Sequence, residues 1–175
     1  YETWLIVELA VCEAWAEMAV IPQEDMAKLR NARHNLGRLN EIFQRTRHDM
    51  TAFTRSITEN LGEEGRWIHL GLTSSDVIDT AQSLQLVQAA DLLLEEMETL
   101  RQVLRSRAME FKDTLMMGRT HGIHAEPTTF GLKLALWWDE MNRQRQRLEA
   151  ARSQVAVGKI SGAVGTHATV PPSVE

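Results

Sequence analysis

Leu86, Ala90, Leu93, Met97, Leu100, Leu104, Ala108, Phe111 and Leu115 follow one another at steps of three and four residues. An α-helix returns side chains to one face with that period, and so long an apolar stripe needs partner helices along its length. After Pro127 a second run, Phe130, Leu134, Trp137, Met141, Leu148 and Val155, marks another such face. The two helices are predicted to pack antiparallel across a turn at residues 118–127, as neighbours in a bundle do. Their Met and Trp stripes read as core or subunit interface and need no cofactor to explain them. Shorter helices come first. Trp4, Val7, Glu8, Val11, Trp15 and Met18 trace one that Ile21-Pro22 ends, and a second starts after Pro22. Beyond the break at Asn35-Leu36-Gly37, Leu39, Ile42 and Phe43 mark a third. A fourth runs from His48-Asp49 to Leu61, closed by Gly62 and Gly65. No segment alternates long enough to build a sheet. The predicted fold is therefore all-α: a small helical domain over residues 1–79, then the first part of a long-helix bundle over 80–175.

Hydrophobic residues make up 43% of the chain and charged residues 25%, an ordinary composition for a folded domain. No apolar run reaches membrane-spanning length, and no signal peptide is visible. The single Cys12 cannot staple the fold, so a reducing cytoplasm is the expected compartment. A net charge of −5 argues against a nucleic-acid backbone as partner, while a nucleotide needs only a local cluster of donors. Between Tyr1 and Glu175 the chain reads as a fragment, because its bundle is unfinished.

Polar groups collect where the helical patterns break. Gly118 and Gly122 bracket Arg119, Thr120 and His121, which puts a cation, a hydroxyl and an imidazole into one short turn. An imidazole with its ordinary pKa of about 6.5 can donate or accept a proton at neutral pH. His121 and His124 also have the spacing of a zinc pair. Structural zinc wants four ligands, usually with thiolates, and one cysteine does not supply them, so no metal or other cofactor is expected. Thr73, Ser74 and Ser75 stand with Asp76 at the start of the long helix, where hydroxyls and free N–H groups either cap the helix or hold an anion. Asp49 has the same two readings at the start of the fourth helix.

Arg-His-Asp-Met at 47–50, Gly-Leu-Thr-Ser-Ser-Asp-Val at 71–77 and Gly-Arg-Thr-His-Gly-Ile-His-Ala-Glu-Pro-Thr-Thr-Phe-Gly at 118–131, continued by Gly-Lys-Ile-Ser-Gly-Ala-Val-Gly-Thr at 158–166, resemble the adenylosuccinate branch of the fumarase/aspartase superfamily. The likeness runs along essentially the whole chain. It implies a lyase that eliminates fumarate from adenylosuccinate, giving AMP, and from the succinyl carboxamide ribotide intermediate of purine synthesis. It implies a small-molecule nucleotide substrate and a homotetramer with shared active sites, without nucleic-acid or membrane partners. By resemblance His121 is the general acid that protonates the leaving nitrogen. Thr73 and Ser74 hold the succinyl part, Thr120 contacts the substrate carboxylate, His48 and Asp49 line the pocket, and His69 stands near the nucleotide phosphate. Arg119 reads either as an anion clamp or as the partner of a structural carboxylate.

The family's general base is a serine on a Ser-Ser-x-Met-Pro-x-Lys-x-Asn-Pro-like loop, and no such motif occurs between Tyr1 and Glu175. The family's N-terminal Arg-Tyr phosphate element is also unmatched, since no arginine precedes Tyr1. The chain alone is therefore expected to be inactive. Two alternatives stay open: another fumarate-releasing lyase of the superfamily, and a non-catalytic helical assembly module.

Overall fold

In the computed structural model, which describes residues 1–175, the N-terminal apolar periods resolve into α1 (Glu2–Glu17), α2 (Gln23–Leu29), α3 (Leu36–Thr46) and α4 (Asp49–Thr58), followed by a short 3-10 helix at Glu63–Trp67. Asn35 starts α3 by accepting the Arg38 N–H at 3.0 Å, so the break in the pattern there is a helix cap. Val7, Val11 and Cys12 of α1 are buried with Met26, Leu29, Leu39, Phe53 and Ile57, and with Val77 and Ala81. Two of the three indoles packed against this core have their N–H hydrogen-bonded: Trp67 donates to Asp25 at 2.7 Å and Trp15 to the Leu70 carbonyl at 3.2 Å.

These residues belong to a first compact unit, Tyr1–Gln85 with Val157–Glu175, and Leu86–Ala156 forms a second. The long helix α5 (Ser74–Glu110) contributes to both. The sequence division at residues 79/80 falls inside α5, whereas the units part at Gln85/Leu86 and the last segment returns to the first unit.

In the second unit α5 meets α6 (Phe130–Val155) as an antiparallel pair. The Arg152 guanidinium grips Asp91 at 2.5 and 2.9 Å, and Arg101 donates to Asn142 at 2.6 Å. Each step forward along α5 is thus matched by an equal step back along α6. Gly131 permits the close approach at the start of α6: a Cβ there would lie 2.4 Å from the Ala108 carbonyl oxygen. One partner helix covers only part of the apolar stripe. Ala90, Leu104 and Leu134 are buried, yet Leu93 is 56% and Trp137 44% exposed.

The connection between the two helices corrects one expectation. Residues 115–129 form an antiparallel hairpin of β1 (Leu115–Thr120) and β2 (Ile123–Thr129), where no sheet was predicted. Thr120 pairs with Ile123, which leaves His121 and Gly122 as a two-residue loop at φ 51° and 77°. Two successive left-handed residues are the signature of a type I′ turn, whose twist matches the strands it joins. Gly118 lies inside β1 and not at a turn. The register shifts between Met117 and Arg119, and a Cβ at Gly118 would stand 2.5 Å from the Glu126 carbonyl oxygen. Apart from this hairpin the all-α expectation holds.

Candidate active site

His48 and Asp49 form the start of α4, with the imidazole as the cap. Its Nδ1 accepts the Thr51 N–H at 3.2 Å, while the Asp49 carboxylate takes the neighbouring Met50 N–H at 2.7 Å. Asp49 therefore opposes the helix dipole from the first turn, but the N-cap is His48. With Nδ1 accepting, the hydrogen of a neutral His48 ring sits on Nε2. Both side chains stay about half exposed, at 55% and 50%.

His69 sits just before α5 in a left-handed conformation, φ 67°. Its main-chain N–H and its Nδ1 both meet the carboxylate of Glu8, at 2.8 and 2.6 Å. Two residues on, Gly71 also turns left-handed at φ 77°, and a Cβ there would lie 2.5 Å from the Thr169 carbonyl oxygen. Thr169 in turn donates its hydroxyl to the Gly71 carbonyl at 2.7 Å.

The start of α5 is capped by a carboxylate. Asp76 Oδ2 accepts the Thr73 N–H at 3.0 Å, and the Asp76 N–H returns a bond to the Thr73 carbonyl at 3.0 Å. Thr73 and Ser74 are half-buried, and their hydroxyls make no hydrogen bond within the chain, so they stay open to a ligand. Asp76 is fully buried and does more than cap. Its oxygens also accept the Lys159 ammonium at 2.7 Å and the Ser161 and Gly162 N–H groups at 3.2 Å, 83 to 86 residues away in the chain. Burial works to raise the pKa of this carboxylate. The bonds from Lys159, Thr73 and Ser161 outweigh it and hold Asp76 below the usual carboxylate range. An anionic residue thus ties the Gly-Leu-Thr-Ser-Ser-Asp segment to the Gly-Lys-Ile-Ser-Gly segment.

Thr120 and His121 stand exposed at the tip of the hairpin, His121 within the turn itself. His124 lies on β2 opposite Arg119, so the His-x-x-His spacing straddles the turn. No group of three or more His, Cys, Asp or Glu residues is placed to hold a metal. An open groove of about 830 Å³ runs beside the hairpin, walled by Met116, Met117, Leu132 and Leu136 with Arg119 and Lys133. It is mostly apolar and does not include His121.

His48, Asp49, His69, Thr73 and Ser74 accordingly belong to the first compact unit, and Thr120 and His121 to the second. Glu8, Asp76 and Lys159 escaped assignment from the sequence. Thr73 followed three residues later by Asp76 has the spacing of a capping box, and Glu8 is a lone carboxylate in an apolar helical stripe. Both were visible signals. Nothing local to Lys159 announces its partner.

A lyase family model matches residues 2–175. Over the full chain the sequence is 55% identical to adenylosuccinate lyase of Bacillus subtilis (strain 168) and 53% identical to that of Staphylococcus saprophyticus. The chain spans 41% of the length of each of these relatives. Among solved structures, a fumarate lyase from Mesorhizobium sp. BNC1 superposes with a TM-score of 0.90 at 31% identity, over 99% of this chain and 43% of that one. A 3-carboxy-cis,cis-muconate lactonizing enzyme from Pseudomonas putida follows with a TM-score of 0.85 at 32% identity, over 95% and 40%.

Proposed function

Because the chain belongs to the lyase family, we propose that the protein carrying it cleaves adenylosuccinate to AMP and fumarate, and the succinyl carboxamide ribotide of purine synthesis likewise. The carrying observation is the contrast in identity: 55% and 53% to adenylosuccinate lyases, against 31% and 32% to structures that share the fold but bear other names.

The difficult step is removal of a carbon-bound proton beside a carboxylate. Negative charge gathers on that carboxylate as the proton leaves, and donors aimed at it lower the barrier. Thr73 and Ser74 supply such donors at the N-terminus of α5, where the helix dipole adds to them. Thr120 contributes from the hairpin. His121 gives a proton to the departing nitrogen, so that the C–N bond breaks to a neutral amine; such general acids contribute about 10² to 10⁴ in rate. His48 and Asp49 line the pocket, and His69 faces the nucleotide phosphate. The base lies on a loop outside residues 1–175, which leaves the isolated chain inactive. The exposed Leu93, Leu100 and Leu136 fit bundle faces that further helices cover, and a homotetramer with shared active sites is part of the proposal. A cytoplasmic location belongs to the same proposal, carried by a single, unpaired Cys12.

The test is fumarate release by the complete protein, with argininosuccinate as the competing substrate. Turnover of adenylosuccinate alone is expected. Preference for argininosuccinate, or no release from either, overturns the proposal; robust turnover by residues 1–175 alone overturns the division of the active site.

A further inference from the structure

Asp76 puts a full negative charge at the N-terminus of α5, the end where Thr73 and Ser74 offer their hydroxyls. The Thr73, Ser161 and Gly162 N–H groups solvate that charge without cancelling it. The cation paired with it is Lys159, whose Nζ stands 2.7 Å from Oδ1. Without that ammonium, a second anion brought to the same helix end would meet a bare carboxylate, and like charges so close repel strongly in a half-buried setting. With it the pair is neutral, and the helix dipole and the free hydroxyls are left to attract.

The ammonium is not needed to hold its own segment in place. The Thr80 hydroxyl accepts the Lys159 N–H at 3.0 Å and donates to the Lys159 carbonyl at 3.1 Å, so the main chain at 159 is fixed to α5 whatever its side chain carries. The Ser161 and Gly162 N–H groups on Asp76 add two further ties. Nζ also donates to the Gly162 carbonyl at 3.1 Å, and the side chain keeps 39% exposure. As a staple, Lys159 repeats what main-chain groups already do. What it alone brings is charge.

We propose that Lys159 makes the start of α5 fit for an anionic ligand: its charge cancels that of Asp76, so that Thr73 and Ser74 can receive a carboxylate of a doubly charged four-carbon acid. This rests on the assignment of Thr73 and Ser74 to the succinyl part of the substrate. Lys159 acts through Asp76 and is a positioning residue. A purely structural tie between α5 and the 158–162 segment makes no distinction between ligands of different charge, and that difference is measurable.

The experiment compares inhibition of the complete enzyme by fumarate, with two charges, and by the monoamide of fumarate, with one. In Lys159→Met, Asp76 keeps three main-chain N–H groups, enough to hold a carboxylate ionised. Inhibition by fumarate should then weaken about tenfold and inhibition by the monoamide about threefold, as an added like charge at the effective dielectric of a half-exposed site requires. Raising the salt to about 1 M should narrow the gap between wild type and variant, because it screens that charge. Lys159→Arg, which keeps the charge, should stay within about threefold of wild type for both ligands. Unchanged inhibition by fumarate in Lys159→Met overturns the proposal, and so does an equal loss for both ligands that salt does not alter. An arginine variant as weak as the methionine one overturns it too. If Lys159→Met does not fold, Lys159→Gln, which offers Asp76 a donor without a charge, carries the same expectation and the same refutation. Thr73→Val separates the two levels: unchanged inhibition by fumarate in that variant removes the carboxylate site and the proposal with it. Weakened inhibition in Thr73→Val beside unchanged inhibition in Lys159→Met removes only the role of Lys159.

Discussion

Replacing Asp76 with Asn would test how the start of α5 is held. With the Asn carbonyl in the Oδ1 position, it keeps the bonds from Lys159 and Ser161 and one of the two from Gly162, and its NH₂ then faces the Thr73 N–H, two donors against each other, where Oδ2 had also accepted the Gly162 N–H. A buried donor left without an acceptor costs about 1–3 kcal/mol. Lys159 loses its counter-charge as well, but its side chain is 39% exposed and can turn to water, so about 1 kcal/mol is the fair figure there. The sum is ~2–4 kcal/mol, concentrated where α5 meets the 158–162 segment. Hydrogen exchange followed by mass spectrometry should show protection in peptides covering 71–80 and 157–165 reduced by about 30- to 800-fold, with α2 and α3 little changed. The sign with pH is fixed by the same carboxylate. Its folded pKa lies below the unfolded value, so its contribution is complete above the unfolded pKa and disappears as pH falls through the folded one. The gap between wild type and Asp76→Asn should therefore close in acid. Unchanged protection in both segments at neutral pH would refute the view that this carboxylate joins them.

In the complete enzyme, His121→Asn should lower turnover by about 10² to 10⁴, because Asn accepts the left-handed conformation at the turn but cannot act as the acid; near-normal turnover at neutral pH removes His121 from that role. Thr73→Val and Ser74→Ala each remove a charge-assisted hydrogen bond worth about 1.5–3 kcal/mol, so inhibition by fumarate should weaken by about 10- to 150-fold, and an unchanged inhibition constant contradicts the assignment. Gly131→Ala places a Cβ 2.4 Å from the Ala108 carbonyl oxygen and 2.6 Å from Lys112 Cα, both main chain. It should lower the melting temperature by several degrees, since overpacking typically costs about 1–3 kcal/mol, and an unaltered melting curve would mean the α5–α6 contact is looser than the geometry requires.

What the sequence alone determined is whatever depends on neighbours along the chain. The stripes from Leu86 to Ala108 and from Phe130 to Val155 dictate two long helices, because burial on one face needs the helical period; the same period ran on to Leu115, which instead opens β1, five residues beyond the helix end at Glu110. Thr73-Ser74-Ser75-Asp76 marks a helix start for an equally local reason, and the motifs from Arg47 to Thr166 pointed to the lyase family to which the chain proves to belong. The hairpin was hidden. Leu-Met-Met-Gly-Arg-Thr has neither the alternation nor the β-branched residues of an ordinary strand, and His-Gly is a less familiar type I′ pair than Asn-Gly. Tertiary structure alone decided the partners of the buried charges. Glu8 meets His69 across 61 residues and Asp76 meets Lys159 across 83, and a pattern that repeats every three or four residues carries no record of contacts at such range. A residue's chemistry is local, but whether its polar atoms are already engaged depends on what the fold brings beside them.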